Sequence, residues 1–147
     1  MTIIGDANII FSGILNANGK IGDLLLNSPD RFLFIAPEFL RTEIYSHHDK
    51  LMKISKLSIK QLLEAEYQLY KSIEFISEEQ IEPRHWKLAA DLVSDIDPKD
   101  AVYIAFTKQF NCKLWTGDKQ MHKGLLKKGF KDILTTRELF NLRNKTK

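Results

Sequence analysis

Short apolar runs alternate along the chain with longer stretches whose apolar residues recur every three or four positions. Thr2-Ile3-Ile4, closed by Gly5-Asp6, reads as a buried strand. Ile9 to Leu15 and Ile21 to Leu26 read as helices joined through the turn-prone Asn16-Ala17-Asn18-Gly19. Phe32-Leu33-Phe34-Ile35-Ala36 predicts a second buried strand, and Pro37 opens a helix expected to run to about Ile54. From Ser58 to Ile73 a further helix presents Ile59, Leu62, Leu63, Tyr67 and Tyr70 as its apolar face, with Ser58 and Gln61 spaced as a capping box. Phe75-Ile76-Ser77 is a short third strand, followed by a helix from Pro83 to about Val93. Asp97-Pro98-Lys99-Asp100 is a helix start, with an Asp cap, Pro at the first position and an acid in the first turn. That helix continues from Ala101 to Phe110, where Asn111 ends it. Lys113-Leu114-Trp115-Thr116 is the fourth strand, stopped by Gly117-Asp118. After it come a helix to Lys128, Gly129, a strand candidate from Phe130 to Leu134 and a last helix from Thr136 to Leu142. Strands separated by helices predict an α/β fold with a mostly parallel sheet.

The 147 residues fit one domain with a substantial core. A single cysteine, Cys112, forms no internal disulfide and suits a reducing compartment; it reads as a small buried hydrophobe. The first residues carry no basic, apolar leader, and no apolar run approaches the roughly 20 residues of a membrane helix. A soluble cytoplasmic protein without a membrane segment is expected. Charge is uneven: residues 119–147 hold nine Lys and Arg against Asp132 and Glu138, a net +7 within a total of +3, which leaves −4 for the rest. This basic end suits a polyanion such as nucleic acid, or is a solvated helix face with a lysine-rich tail.

The chemistry lies in the acids. In parallel sheets, ligands bind beyond the carboxyl ends of the strands. Asp6 and Asp118 each follow an apolar strand there, while Glu43 and Asp100 lie on helices that follow strands. Each has an ordinary structural explanation on its own: Asp97 and Asp100 cap and charge a helix start, Asp118 caps a turn, Asp6 ends a strand, and Glu43 sits on a solvated face. Four carboxylates gathered at one end of a sheet exceed what capping needs. They would repel one another unless a cation compensated them, and hard divalent ions such as Mg²⁺ or Mn²⁺ prefer such oxygen donors.

Four stretches in order, Ile3-Ile4-Gly5-Asp6-Ala7-Asn8-Ile9-Ile10, Pro37-Glu38-Phe39-Leu40-Arg41-Thr42-Glu43-Ile44, Asp97-Pro98-Lys99-Asp100-Ala101-Val102-Tyr103-Ile104-Ala105 and Leu114-Trp115-Thr116-Gly117-Asp118-Lys119, resemble the PIN-domain nucleases, including VapC-like toxins of type II toxin–antitoxin pairs. The resemblance implies a single PIN-like domain over residues 1–147, a three-layer α/β/α fold around a central, mostly parallel five-stranded sheet, and an acidic pocket for Mg²⁺ or Mn²⁺. Asp6, Glu43, Asp100 and Asp118 take the catalytic acidic positions, with Asp6, Asp100 and Asp118 nearest the metal. Asn8 and Thr116 orient ligands or a phosphate, and Asp97 stands behind them. The implied function is metal-dependent hydrolysis of phosphodiesters, most naturally in an RNA substrate, with an antitoxin protein as partner and a homodimer whose apolar surface comes from the helices between Ile44 and Ile73. Some relatives carry a further acid shortly after the last Asp, where this chain has Gln120, Met121 and His122.

Other readings stay open at this stage. The same fold without turnover would be a nucleic-acid- or protein-binding module. A haloacid-dehalogenase-like phosphatase also begins with an Asp after the first strand, but wants a second Asp where Asn8 stands, and a receiver domain lacks its paired acids. His47 and His48 read as a solvated helix face, Trp86 and Trp115 as packing residues, and Ser12 lacks the partners of a hydrolase triad.

Overall fold

In the computed structural model, which describes residues 1–145, strand β1 (Thr2–Gly5) occupies the sheet centre. Ile3 and Ile4 are fully buried, as a strand covered on both faces requires. β2 (Leu33–Pro37) and β3 (Ile73–Ile76) lie on one side of it, and β4 (Lys113–Trp115) and β5 (Ile133–Leu134) on the other, in the order β3-β2-β1-β4-β5. All four pairings are parallel, with Ile4 opposite both Ile35 and Leu114. Parallel neighbours need crossover connections, and the helices supply them. Between β1 and β3 run α1 (Ala7–Leu15), α2 (Lys20–Leu26), α3 (Phe39–Ser46), α4 (His48–Ser55) and α5 (Ile59–Tyr70). Between β3 and β5 run α6 (Pro83–Val93), α7 (Ala101–Phe110) and α8 (Lys119–Lys127). The last helix, α9 (Thr136–Asn144), returns to pack on α2, where Arg143 pairs with Asp23 at 2.8 Å. The result is the expected three-layer α/β/α arrangement, with a wholly parallel sheet.

Pro37 closes β2 rather than opening a helix, and pairs in register with Ile76. The helix expected to follow it is broken at His47. There the Ser46 hydroxyl donates to the Glu43 carbonyl at 2.7 Å and His47 Nδ1 contacts the same oxygen at 2.8 Å, which turns the chain into α4. The third strand begins two residues earlier than expected, at Ile73, and the fifth shrinks to two residues. The capping box at Ser58 and Gln61 forms, and Asn111 ends α7 in a left-handed conformation with φ 49°.

The apolar face read on α5 is rotated. The helix buries Leu62, Glu66 and Leu69, while Ile59, Leu63 and Tyr67 are exposed beside Tyr45 and Ile54. Nor is His48 on a solvated face: its Nε2 lies 2.7 Å from Glu66 Oε2, with both side chains largely buried. Trp115 and Cys112 are buried and Trp86 packs against the core, as expected. The basic end is only partly free. Arg143 is tied to Asp23 and Lys128 to Asp95, whereas Lys119 and Arg137 have no ion pair among the described residues. Lys147, counted in that basic stretch, lies outside the described residues.

Candidate active site

The strand order reverses direction at β1: the chain moves outward to β3 on one side, then crosses back to β4 on the other. That switch point opens a crevice between the carboxyl ends of β1 and β4, which is where open α/β sheets bind ligands. Asp6 follows β1 and its N–H donates to the Trp115 carbonyl at 3.3 Å, so the two strand ends are held together. A cavity of about 520 Å³ opens there, bordered by Asp6, Asn8, Glu43, Asp97, Asp100 and Asp118. The residues singled out in the sequence thus meet around one space, apart from Thr116, which lies behind it.

Thr116 is the hinge of the arrangement. It is 2% exposed, its hydroxyl donates to Asp6 Oδ2 at 2.6 Å, and its oxygen accepts the Asp118 N–H at 3.0 Å. Asp6 Oδ1 accepts the Ile9 N–H and Asp118 Oδ1 the Met121 N–H, each at 3.0 Å, so each Asp also caps the helix it precedes. Asp97 Oδ1 accepts the Lys99 N–H and caps a short 3-10 turn, Pro98–Asp100, that precedes α7. The capping and the acidic constellation are therefore not rivals. Caps fix where the carboxylates stand; Asp97 and Asp118 each keep an oxygen outside the cap, while Asp6, whose second oxygen takes the Thr116 hydroxyl, keeps the remaining lone pairs of its two oxygens.

Electrostatics marks the cavity as under-compensated. Burial pushes the Asp6 carboxyl above the ordinary carboxylate range, and the Asp118 charge adds to this, against hydrogen bonds from Thr116 and Ile9 that pull it down. Asp100 is raised to about 6, first by burial and then by the charges of Asp97, Asp6 and Asp118. Among the described residues, no three His, Cys, Asp or Glu side chains stand close enough together to hold an ion unaided. An oxygen-only donor set, in which Asp6 and Asp100 hold their protons more tightly than a free carboxyl, nevertheless fits a hard divalent cation completed by water or phosphate oxygens.

Asp100 carries a measurable consequence. Its proton is held more tightly in the folded chain, at about 6 against 3.8 for the free side chain. The folded state therefore gains from this group fully below pH ~4, and loses that gain as pH rises toward about 6. Asp100 makes no capping hydrogen bond, so Asn replaces it without loss. In metal-free protein, Asp100→Asn is expected to match wild type near pH 4 and to melt roughly 3 °C higher above pH 6, on the order of 1 kcal/mol after discounting for its partial exposure. A melting difference that does not vary with pH would overturn this.

Three cavity residues escaped the sequence reading. Phe39 and Tyr103 border it, with ring centroids 6.4 Å apart, and the exposed Lys99 lines its edge without an ion pair among the described residues. Tyr103 is 4% exposed, and its oxygen accepts the Ala7 N–H at 3.1 Å, which leaves the hydroxyl proton to donate. Burial and the charges of Asp6, Glu43 and Asp100 hold that hydroxyl protonated. One signal was available: Tyr103 stands three residues after Asp100 and so shares its helix face.

By sequence, no curated protein matches the chain. In fold it is similar to the crystal structure of VapBC2 from Rickettsia felis bound to a DNA fragment from their promoter, with a TM-score of 0.67 and 12% identity over 92% of this chain and 98% of that one. The family model for the PIN domain matches residues 4–140. With a match that runs from the first strand into the last helix, the chain belongs to the PIN domain family.

Proposed function

We propose that the acidic cavity is the active site of a divalent-metal-dependent endoribonuclease that hydrolyses phosphodiester bonds. The observation that carries this reading is the meeting of Asp6, Asp100 and Asp118, from three separate segments, around one cavity in which burial and mutual repulsion raise proton affinity. Asp6, Asp100 and Asp118 hold Mg²⁺ or Mn²⁺, and Glu43 completes the catalytic acids. When bound, the ion lowers the pKa of an attacking water well below its free value of about 15.7 and neutralises charge on the phosphate. Thr116 fixes the Asp6 carboxylate so that its orientation does not change during turnover. The Tyr103 hydroxyl and Asn8 donate to phosphate oxygens, and Lys99 offsets the charge of the incoming strand. Asp97 caps the turn that carries Lys99 and Asp100 and supports the site from the cavity's edge.

Membership in the PIN domain family and the likeness to VapBC2 support a role as the toxin of a type II toxin–antitoxin pair. Its antitoxin would lay a basic side chain into the acidic cavity. The exposed Tyr45, Ile54, Ile59, Leu63 and Tyr67 support pairing of two copies through the helical layer. No helix among the described residues is long and apolar enough to cross a membrane, and the lone cysteine supports a cytoplasmic setting.

The test is cleavage of a mixed-sequence single-stranded RNA, with DNA of the same sequence beside it, in Mg²⁺ or Mn²⁺ and in EDTA. Cutting of RNA that EDTA abolishes is the expected result. Binding of RNA with no cutting in either metal would replace the enzyme by a non-catalytic binding module.

A further inference from the structure

Beside the acidic cavity, along the same rim of the sheet, lies a second cavity of about 280 Å³ beyond the carboxyl ends of β4 and β5. Its border includes Lys119, His122, Thr135, Thr136 and Arg137, and it shares Asp118 with the acidic cavity. The two spaces are thus neighbours across one carboxylate, yet their chemistry is opposite.

The border of the second cavity carries two cations, two threonine hydroxyls and a histidine over a largely apolar floor. Lys119 and Arg137 are exposed and have no ion pair among the described residues. The Thr136 oxygen accepts the Trp115 indole N–H at 2.9 Å and the Thr135 oxygen accepts the Glu138 N–H at 3.1 Å, so both hydroxyl protons remain to be given. His122 Nε2 lies 3.8 Å from Glu138, whose Oε1 already accepts the Thr135 N–H at 3.0 Å. Asp118 is the one lining acid, and its Oδ1 is held by the Met121 N–H. A site built of cations and hydroxyl donors recognises an anion with several acceptor oxygens. Lys119 and Arg137 are the cations that line this cavity, and Arg143 and Lys128 of the same basic end are tied to acids elsewhere.

We infer that this cavity is a subsite for a backbone phosphate of a single nucleic-acid strand, next to the linkage that occupies the acidic cavity. The inference rests on the nuclease reading of the acidic cavity and adds the direction in which the strand leaves it: over the starts of α8 and α9. The acidic cavity alone repels a polyanion, so a strand needs a cationic hold within reach, and Lys119 and Arg137 supply two charges at its border. Neither touches the reacting atoms; both are positioning residues.

The experiment measures binding of a labelled single-stranded RNA to the wild type in EDTA, where nothing is cut, across a range of salt. It is repeated with Lys119→Gln combined with Arg137→Gln, with Arg137→Lys, and with the charge-matched control Lys60→Gln on the exposed side of α5. The combined variant is expected to raise Kd about tenfold and to flatten the slope of log Kd against log salt by about 1.4, since each phosphate contact on a single strand contributes roughly 0.7. Arg137→Lys should retain most of the affinity, and Lys60→Gln all of it. In Mn²⁺ the combined variant should raise KM while leaving kcat unchanged. Binding and salt slope that match the Lys60→Gln control would overturn the subsite even if the wild type cuts RNA. A wild type that never cuts, but whose RNA binding weakens in the combined variant, keeps the subsite and removes the nuclease reading. No RNA binding by the wild type removes both.

Discussion

Asp6→Asn, Asp100→Asn and Asp118→Asn are each expected to lower the rate of RNA cleavage by about 10³-fold, since losing a carboxylate that holds a catalytic cation removes several kcal/mol of transition-state stabilisation at ~1.4 kcal/mol per decade. The substitutions are chosen to leave the fold standing. Asn caps a helix about as well as Asp, so the Ile9 and Met121 N–H groups keep their acceptors after Asp6→Asn and Asp118→Asn. Asp100→Asn removes a repelled charge and should make the metal-free protein more stable while making it inactive. Opposite changes in stability and activity are what a site built for a missing charge predicts, and a merely structural acid cannot produce them. Divalent ion should raise the wild-type melting temperature, by about 2.7 kcal/mol of stabilisation at 100 times its Kd, and do little for the three variants. Thr116→Val, which keeps every acid but removes the hydroxyl that holds the Asp6 carboxylate and accepts the Asp118 N–H, should fall between, at 10- to 100-fold. Activity in Asp118→Asn within tenfold of wild type would remove that residue from the metal, and the same result in all three would remove the nuclease.

Much of this site is legible in the sequence because its residues carry two jobs. Asp6, Asp97 and Asp118 sit where helices must begin, so capping rules locate them, and the alternation of strands and helices says that such starts gather at one end of a parallel sheet. Lys99 and Tyr103 were hidden for the complementary reason. One looks like any residue of a helix's first turn and the other like an aromatic of a buried helix, and only the assembled crevice gives them a chemical meaning. Strand ends slipped by one or two residues where tertiary pairing outweighs local pattern, as at Pro37, whose place opposite Ile76 no helix-start rule anticipates. His47 shows the limit from the other side: a side chain competing for one carbonyl broke a helix that periodicity alone carries through to Ile54.

The rotated face of α5 has the same origin, and its consequence for stability is large. A periodicity argument counts apolar residues, and Glu66 does not count, although it occupies the buried stripe between Leu62 and Leu69. Its Oε2 and His48 Nε2 stand 2.7 Å apart with no other hydrogen-bond partner, too poorly aligned for a hydrogen bond between them, while Oε1 accepts from the Tyr70 hydroxyl at 3.3 Å. The single substitutions should therefore be unequal. His48→Leu leaves a carboxylate buried with only the Tyr70 hydroxyl for company, and is expected to cost about 3–5 kcal/mol, a fall in melting temperature of roughly 10 °C or more. Glu66→Leu leaves a buried imidazole rather than a buried carboxylate without its partner, and should cost about half as much. Joining both substitutions removes the buried polar groups together and should bring stability back to within about 1 kcal/mol of wild type, a coupling that a double-mutant cycle reads directly. Simple addition of the two losses would show that α4 and α5 are held by packing around the pair, with the charges contributing nothing of their own. Recovery in the double variant would identify Glu66 as the reason the helix turns Ile59, Leu63 and Tyr67 outward: with its carboxylate facing His48, the next apolar positions around the helix are left on the surface.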